Sequence, residues 1–242
     1  MKAVWYEQNG GAEILQYGDM PDPEPGPSEV RVRVATSGVN PSDWKRRQGL
    51  TAQIGFPRVI PNQDGAGVID AVGDGVDSSR IGERVWLFEA QFGRAFGTGA
   101  EYTVQPAGHA VRLPDNTDFA TAAGLGVPAM TAHRCVFSDG PVTGKTVLVT
   151  GGAGAVGHYA VQLAKLGGAA IISTVSSDEK AQIAREAGAD HTVNYREEDT
   201  AERILELTGG DGVDLVVEVD MAANFPVSQQ VLKRSGVLAV YS

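Results

Sequence analysis

Apolar and polar positions follow two different rhythms along the chain, and the change falls near Asp118. Upstream, the segments KAVWYE, EVRVRVATSGV, GAGVIDAVG, ERVWLF and EYTVQ alternate or cluster β-branched and aromatic residues, with turn-rich stretches such as PDPEPGPSE and GDGVDSSRIGE between them. A period of two predicts half-buried strands, and their succession resembles a partly open barrel. Downstream, residues 118–136 read as helical despite Pro128, and apolar runs then alternate with helical stretches. TVLVT, AAIIST, HTVNY, VDLVVEV and GVLAVY are predicted strands, with helices near 156–166, 178–187, 200–207 and 224–234. Strict alternation of this kind predicts a parallel, doubly wound sheet. The expected division is a β-rich domain over 1–118 and an α/β domain over 119–242. No internal repeat or low-complexity tract interrupts either.

The first strand of the second half runs into the richest cluster of glycines, Gly151, Gly152, Gly154 and Gly157. Gly152, Gly154 and Gly157 match G-x-G-x-x-G, placed between a strand and a helix, where that motif has a mechanism. The first glycine is expected to permit a tight turn, the second to let backbone approach a pyrophosphate, and the third to pack helix on strand. Phosphates would rest on the free N–H groups at the helix start, so Gly152, Ala153, Gly154, Ala155, Val156 and Gly157 are candidate cofactor contacts. NAD-binding chains place Asp or Glu about 20 residues further on, against the ribose 2′-hydroxyl. Here Thr174, Val175, Ser176 and Ser177 stand there, with Lys180 in the next helical turn. Hydroxyls and an ammonium suit a 2′-phosphate, so NADPH is the expected cofactor, with Ser176 and Lys180 as contacts. The alternative is a plain serine N-cap with a solvated lysine, and Asp178 is an unhelpful neighbour for phosphate.

Composition narrows the partners. A net charge of −10 and a pI near 4.8 give no general attraction to nucleic acid or anionic membranes. Cys135 is the only cysteine, which excludes an internal disulfide and a four-thiolate zinc lobe, and a reducing, cytoplasmic setting is expected. The start MKAVWYEQNGG lacks a signal-peptide pattern, and no apolar run approaches the ~20 residues of a membrane span.

Several motifs in order, MKAVWYEQNGGAEIL, SGVNPSDWKRRQG, NQDGAGVIDAVGDGV, GLGVPAMTAHRCVF, VTGGAGAVGHYAVQLAKLGGAAII and AREAGADHTVNYREED, resemble the zinc-independent branch of the medium-chain dehydrogenase/reductase superfamily, the quinone oxidoreductase or zeta-crystallin type. The resemblance runs the whole length. It implies a GroES-like substrate domain, a Rossmann domain, and an active site in the cleft between them. Zinc-using relatives carry cysteine at the place of Asn40 and Gly-His-Glu at the place of Asn62, Gln63 and Asp64, so no metal site is expected. His109, His133, His158 and His191 are read as surface or packing histidines.

The same resemblance implies hydride transfer, without zinc, to a quinone or an α,β-unsaturated carbonyl, acceptors that spread the developing charge themselves. It places Asn40 and Asp43 beside the nicotinamide and substrate, and Thr131 at the cofactor. The alternatives are a loop cap before Pro41 for Asn40 and a first-turn helix acid for Asp43. Trp44, Lys45 and Arg46 replace a segment where the family often has tyrosine, leaving water as the expected proton source. Carried over by position are Tyr195, which alternatively caps a sheet edge, and the run Ala239, Val240, Tyr241 and Ser242 on the nicotinamide side. Asn224 follows a strand end, where open α/β sheets bind ligands. Relatives continue beyond GVLAVYS with a further strand, so the expectation is a C-terminally truncated chain with five strands in the order 3-2-1-4-5, an exposed edge open to homo-oligomerisation, and weak turnover on its own. An enoyl reductase of lipid or polyketide type is the alternative enzyme, and a crystallin-like or RNA-binding protein with little catalysis is the alternative of a different class.

Overall fold

The computed structural model describes residues 1–241. Ser242 lies outside the described residues. The chain forms two compact units, Met1–Val127 and the remainder from Pro128 onward.

In the first unit the strands are β1 (Lys2–Trp5), β2 (Gln16–Asp19), β3 (Glu29–Gly38), β4 (Asp64–Val72), β5 (Arg84–Leu87), β6 (Tyr102–Pro106) and β7 (Ala110–Arg112). Two helices join them, α1 (Pro41–Arg47) and α2 (Phe119–Ala122). Strands β1 and β2 pair as a separate ribbon, while the larger sheet has the antiparallel order β6-β3-β4-β5-β7. Alternation works as the pattern demands: along β3, Val30 and Val32 are fully buried, whereas Arg31 is partly exposed and Arg33 exposed. They close a core with Ile69, Val85, Leu87 and Ala110. Strands β2 and β7 escape the sequence reading because β2, QYGD, has no buried position to set a period and β7 has only three residues.

The second unit contains α3 (Met130–Phe137), β8 (Thr146–Val149), α4 (Ala155–Leu166), β9 (Ala170–Val175), α5 (Asp178–Ala187), β10 (His191–Asn194), α6 (Thr200–Leu207), β11 (Val213–Glu218), α7 (Met221–Val231) and β12 (Leu232–Val240). Its strands are parallel in the order β10-β9-β8-β11-β12, the 3-2-1-4-5 arrangement expected of the sequence. Central strands buried on both faces explain the unbroken apolar runs. Val147, Val149, Ile171 and Val217 face one core, with Ala160, Val161 and Ala164 of α4. Leu148, Ile172 and Val216 face the other, with Ile204 of α6.

Two expectations need correction. The last helix occupies 221–231, three residues earlier than expected, because the Asp220 carboxylate caps it through Ala223 N–H at 3.1 Å. Leu232 onward is already strand, so β12 begins before the GVLAVY segment. The helical reading of 118–136 breaks into α2, a π-turn at Leu125–Ala129 and α3. Pro128 has no N–H for a continuous ladder, which is why the turn widens there.

One close approach fixes where α4 begins. A side chain at Gly157 would overlap the carbonyl oxygen of Gly151 and meet Gly152 Cα at 3.0 Å. Both obstacles are backbone and cannot swing aside. Gly157→Ala should therefore lower stability by about 1–3 kcal/mol or more, read as a lower urea midpoint, whereas an unchanged midpoint would contradict the contact.

Candidate functional site

In the second unit, β8 ends at Val149 and the chain turns through Thr150 and Gly151 before α4. Gly151 supplies the left-handed residue of this turn, with φ +66°. That corrects the reading in which Gly152 permits the turn. Gly152 is needed instead because a Cβ would overlap Ser173 Oγ of β9. Gly157 brings α4 against the loop after β8, at Gly151 and Gly152, and not against a strand as expected, and at Gly154 a Cβ would meet only the Gly151 carbonyl, at 3.2 Å. The loop is tied to β9 by Gly151 N–H donating to Thr174 Oγ1 at 3.1 Å.

Helix α4 differs from its neighbours at its start. Ser177 caps α5, Asp199 caps α6 and Asp220 caps α7, each accepting a first-turn N–H. The N-cap of α4 is Gly154, which has no side chain to offer. Ala155, Val156 and Gly157 thus present N–H groups with no hydrogen-bond acceptor among the described residues. Ala153 lies in the turn just before them. A twelve-residue helix concentrates partial positive charge at that end, so the arrangement suits an anion.

A cavity of about 300 Å³ opens at the carboxyl ends of the strands, lined by Thr150, Gly151, Thr174, Tyr195, Asp220 and Asn224 among others. It brings together two candidates, Tyr195 and Asn224. Tyr195 is 51% exposed, so its ring is available at the rim and is not locked into the sheet. Beyond β9, Ser177 accepts from Lys180 N–H at 3.3 Å, which makes it the N-cap. Ser176 has a separate partner: Lys180 Nζ donates to its Oγ at 3.0 Å. One hydroxyl and one ammonium therefore sit together at the surface, and the capping alternative accounts for Ser177 alone.

The sequence reading missed Glu218, a fully buried carboxylate at the end of β11. Its Oε1 accepts from Asp220 N–H at 2.6 Å, Asn224 Nδ2 at 2.8 Å and Thr150 Oγ1 at 3.2 Å. It thereby holds the floor of the cavity and turns the Asn224 amide nitrogen inward. The available signal was an acid ending the apolar run VDLVVE. Ala239 and Val240 lie opposite Val217 and Glu218 in β12, and Tyr241 N–H donates to the Glu218 main-chain carbonyl at 3.0 Å. Burial, then the neighbouring Cys135 thiol and Glu218 carboxylate, push the Tyr241 phenol up to about 12. Thr131 sits half-buried in the first turn of α3.

In the first unit, Asn40 is the N-cap of α1, and the Asp43 side chain three residues on reaches back to its main-chain N–H. Asp43 Oδ2 accepts Asn40 N–H at 2.7 Å and Oδ1 accepts Gln63 N–H at 3.2 Å. Both local alternatives, cap and first-turn acid, thus describe real contacts. The Asn40 side chain adds another: its Nδ2 donates to Asp64 Oδ2 at 2.8 Å. Asp64 is fully buried and also accepts Val127 N–H, at 2.8 and 3.0 Å. Burial raises both carboxyls, Asp64 to about 6 despite the hydrogen bonds from Val127 and Asn40, which act the other way.

These donor sets do not suit zinc. Asn40 and Gln63 offer amides, Gln63 Oε1 already accepts Gln91 N–H at 3.2 Å, and Asp43 and Asp64 are committed to N–H groups. No three His, Cys, Asp or Glu side chains converge on a common point among the described residues.

Residues 26–115 match the alcohol dehydrogenase GroES-like domain, and residues 155–242 match the zinc-binding dehydrogenase family. A quinone oxidoreductase of Pseudomonas aeruginosa is 38% identical over 218 residues, covering 90% of this chain and 66% of its own. A 2-haloacrylate reductase of a Burkholderia species is 33% identical, covering 100% and 72%. Among solved structures, the Escherichia coli quinone oxidoreductase complexed with NADPH superposes with a TM-score of 0.87 at 30% identity, covering 98% of this chain and 72% of that one. The chain thus spans about two thirds to three quarters of the length of these relatives.

The raised Asp64 makes a signed prediction. An acid whose folded value lies above its unfolded one contributes stability below about pH 4 that is lost as pH rises through about 6. The interval from 3.8 to about 6 corresponds to roughly 3 kcal/mol before relaxation. Urea unfolding from pH 4 to 7 should show wild type losing stability relative to Asp64→Asn; parallel curves would contradict it.

Proposed function

Because this chain belongs to the quinone oxidoreductase (zeta-crystallin) family of medium-chain dehydrogenases/reductases, we propose that it binds NADPH and directs hydride transfer, without zinc, to a quinone or an α,β-unsaturated carbonyl. The observation that carries the cofactor reading is the uncapped start of α4 above a strand-end cavity. The pyrophosphate takes the N–H groups of Ala155, Val156 and Gly157. Ser176 Oγ and Lys180 Nζ take the 2′-phosphate, and residues 174–177 contribute no carboxylate to repel it. The adenosine portion occupies the cavity beside Tyr195 and Asn224. Thr131 and the run from Ala239 to Ser242 serve the rest of the dinucleotide.

NADPH supplies the hydride. The protein residues bind and orient. Asn40 offers its amide to the nicotinamide ribose or to the oxygen that gains charge, and Asp43 holds Asn40 and Gln63 in register through their backbone N–H groups. Conjugated acceptors delocalise the incoming electron pair, so the task of the site is placement more than Lewis-acid polarisation. The two kinds of named relative, quinone oxidoreductase and 2-haloacrylate reductase, fit acceptors of this class. Water protonates the product. Zinc is assigned no role because Asn40 and Gln63 provide neutral amides where thiolate and imidazole would be needed.

Two measurements check this reading. Lys180→Ala should weaken NADPH binding about tenfold, the loss of one charge-assisted contact, while leaving NADH binding nearly unchanged in fluorescence titrations; equal weakening of both would contradict a 2′-phosphate site. Oxidation of NADPH with quinone and enone acceptors should be the same before and after prolonged chelation, and loss of turnover restored by zinc would contradict the metal-free reading.

A further inference from the structure

Asn40 is bracketed by two acids, Asp43 on its main-chain N–H and Asp64 on its side chain. Asp64 is the more enclosed, fully buried at the first residue of β4. Its own main-chain carbonyl is pinned by Thr98 Oγ1 at 2.5 Å. Gly126 packs so close that a Cβ there would overlap Asp64 Oδ1, and Gly38 leaves only 3.1 Å between its Cβ position and Asp64 Cβ. Only glycine fits at these two places, so main chain lines the Asp64 side chain directly. The groups that meet it by hydrogen bond are the Val127 N–H and the Asn40 amide.

An ionised carboxylate can only accept, whereas a side-chain amide has a donating end and an accepting end. The reverse flip of Asn40 would set its carbonyl oxygen against Asp64 Oδ2 at the 2.8 Å now occupied by a hydrogen bond. We propose that Asp64 is a positioning residue that dictates the flip of the Asn40 amide, and with it which polar atoms of Asn40 remain for a ligand. One amide proton is consumed by Asp64, and the other amide N–H and the carbonyl oxygen keep fixed directions relative to α1. A neutral side chain at position 64 can donate as well as accept, so it no longer selects between the two flips. The importance of this to turnover rests on the reading of Asn40 as a site residue; the orientation itself does not.

The test compares wild type, Asp64→Asn, and the reciprocal double variant Asn40→Asp/Asp64→Asn. The Asn40 side-chain amide is followed by ¹H–¹⁵N NMR and identified by its disappearance in Asn40→Ala. Wild type should show one amide pair with a proton shifted downfield by the carboxylate. Asp64→Asn should lose that shift or show two populations. With folding confirmed by urea midpoint, Asp64→Asn should keep its NADPH Kd within about twofold while kcat falls about tenfold or more, as misorientation of a placed group does. The double variant rebuilds a carboxylate–amide bond of opposite polarity, so it should restore a downfield-shifted amide pair, now at position 64, and leave kcat low. An unaltered Asn40 amide in Asp64→Asn would overturn the proposal. Recovery of kcat in the double variant would also overturn it, by reducing Asp64 to a structural acid. Absence of turnover in wild type would instead defeat the proposed function, and the amide spectra would still decide the role of Asp64.

Discussion

The contact between Gly157 and the Gly151 carbonyl sets the geometry of the second unit's binding end. It draws the first turn of α4 against the loop that follows β8, so the helix axis starts directly at the strand ends. Gly152 makes a second such approach, against Ser173 of β9. Gly154, at the N-cap, supplies no capping side chain. The close glycine contacts bring α4 to the strand ends, and the glycine cap leaves its first N–H groups available for phosphate.

Two buried acids perform comparable work, one in each unit. Glu218 gathers Thr150, Asp220 and Asn224 at the cavity floor, and Asp64 gathers Asn40 and Val127 around α1. Each carboxylate accepts from donors on separate segments, so loops distant in sequence are held at fixed spacing. Burying such a group without partners is costly, and each partner reduces that cost. Specific orientation is what the arrangement provides: an acceptor-only centre decides which way each neighbouring amide points. Loops otherwise free to shift are thereby given one polar face.

The strand and helix order of the second unit was legible because buried parallel strands write unbroken apolar runs and the helical stretches between them are set apart by polar cap residues such as Ser177 and Asp199. The nucleotide loop was legible from glycine spacing, although spacing alone assigned the turn to Gly152 when Gly151 carries the positive φ. The break at Pro128, the early start of β12 and the short strands β2 and β7 depend on tertiary pairing and leave little trace in local pattern. Asp64 stood beside Gln63 in the comparison with zinc ligands, yet its hydrogen bonds to Asn40 and Val127 span many residues of chain. Glu218 was hidden in a similar way, as one acid at the end of an apolar run whose partners are Thr150, far back in the chain, and the start of α7 just beyond it.

The central claim, that the uncapped start of α4 receives the pyrophosphate of NADPH, is tested most directly by NMR of the ¹⁵N-labelled chain titrated with the cofactor and with its two halves. The amide resonances of Ala155, Val156 and Gly157 should move most with NADPH and with adenosine 2′,5′-bisphosphate extended by a second 5′-phosphate. Nicotinamide riboside, which carries no phosphate, should leave them in place. Saturable NADPH binding that perturbs other amides while these three remain unmoved would contradict it.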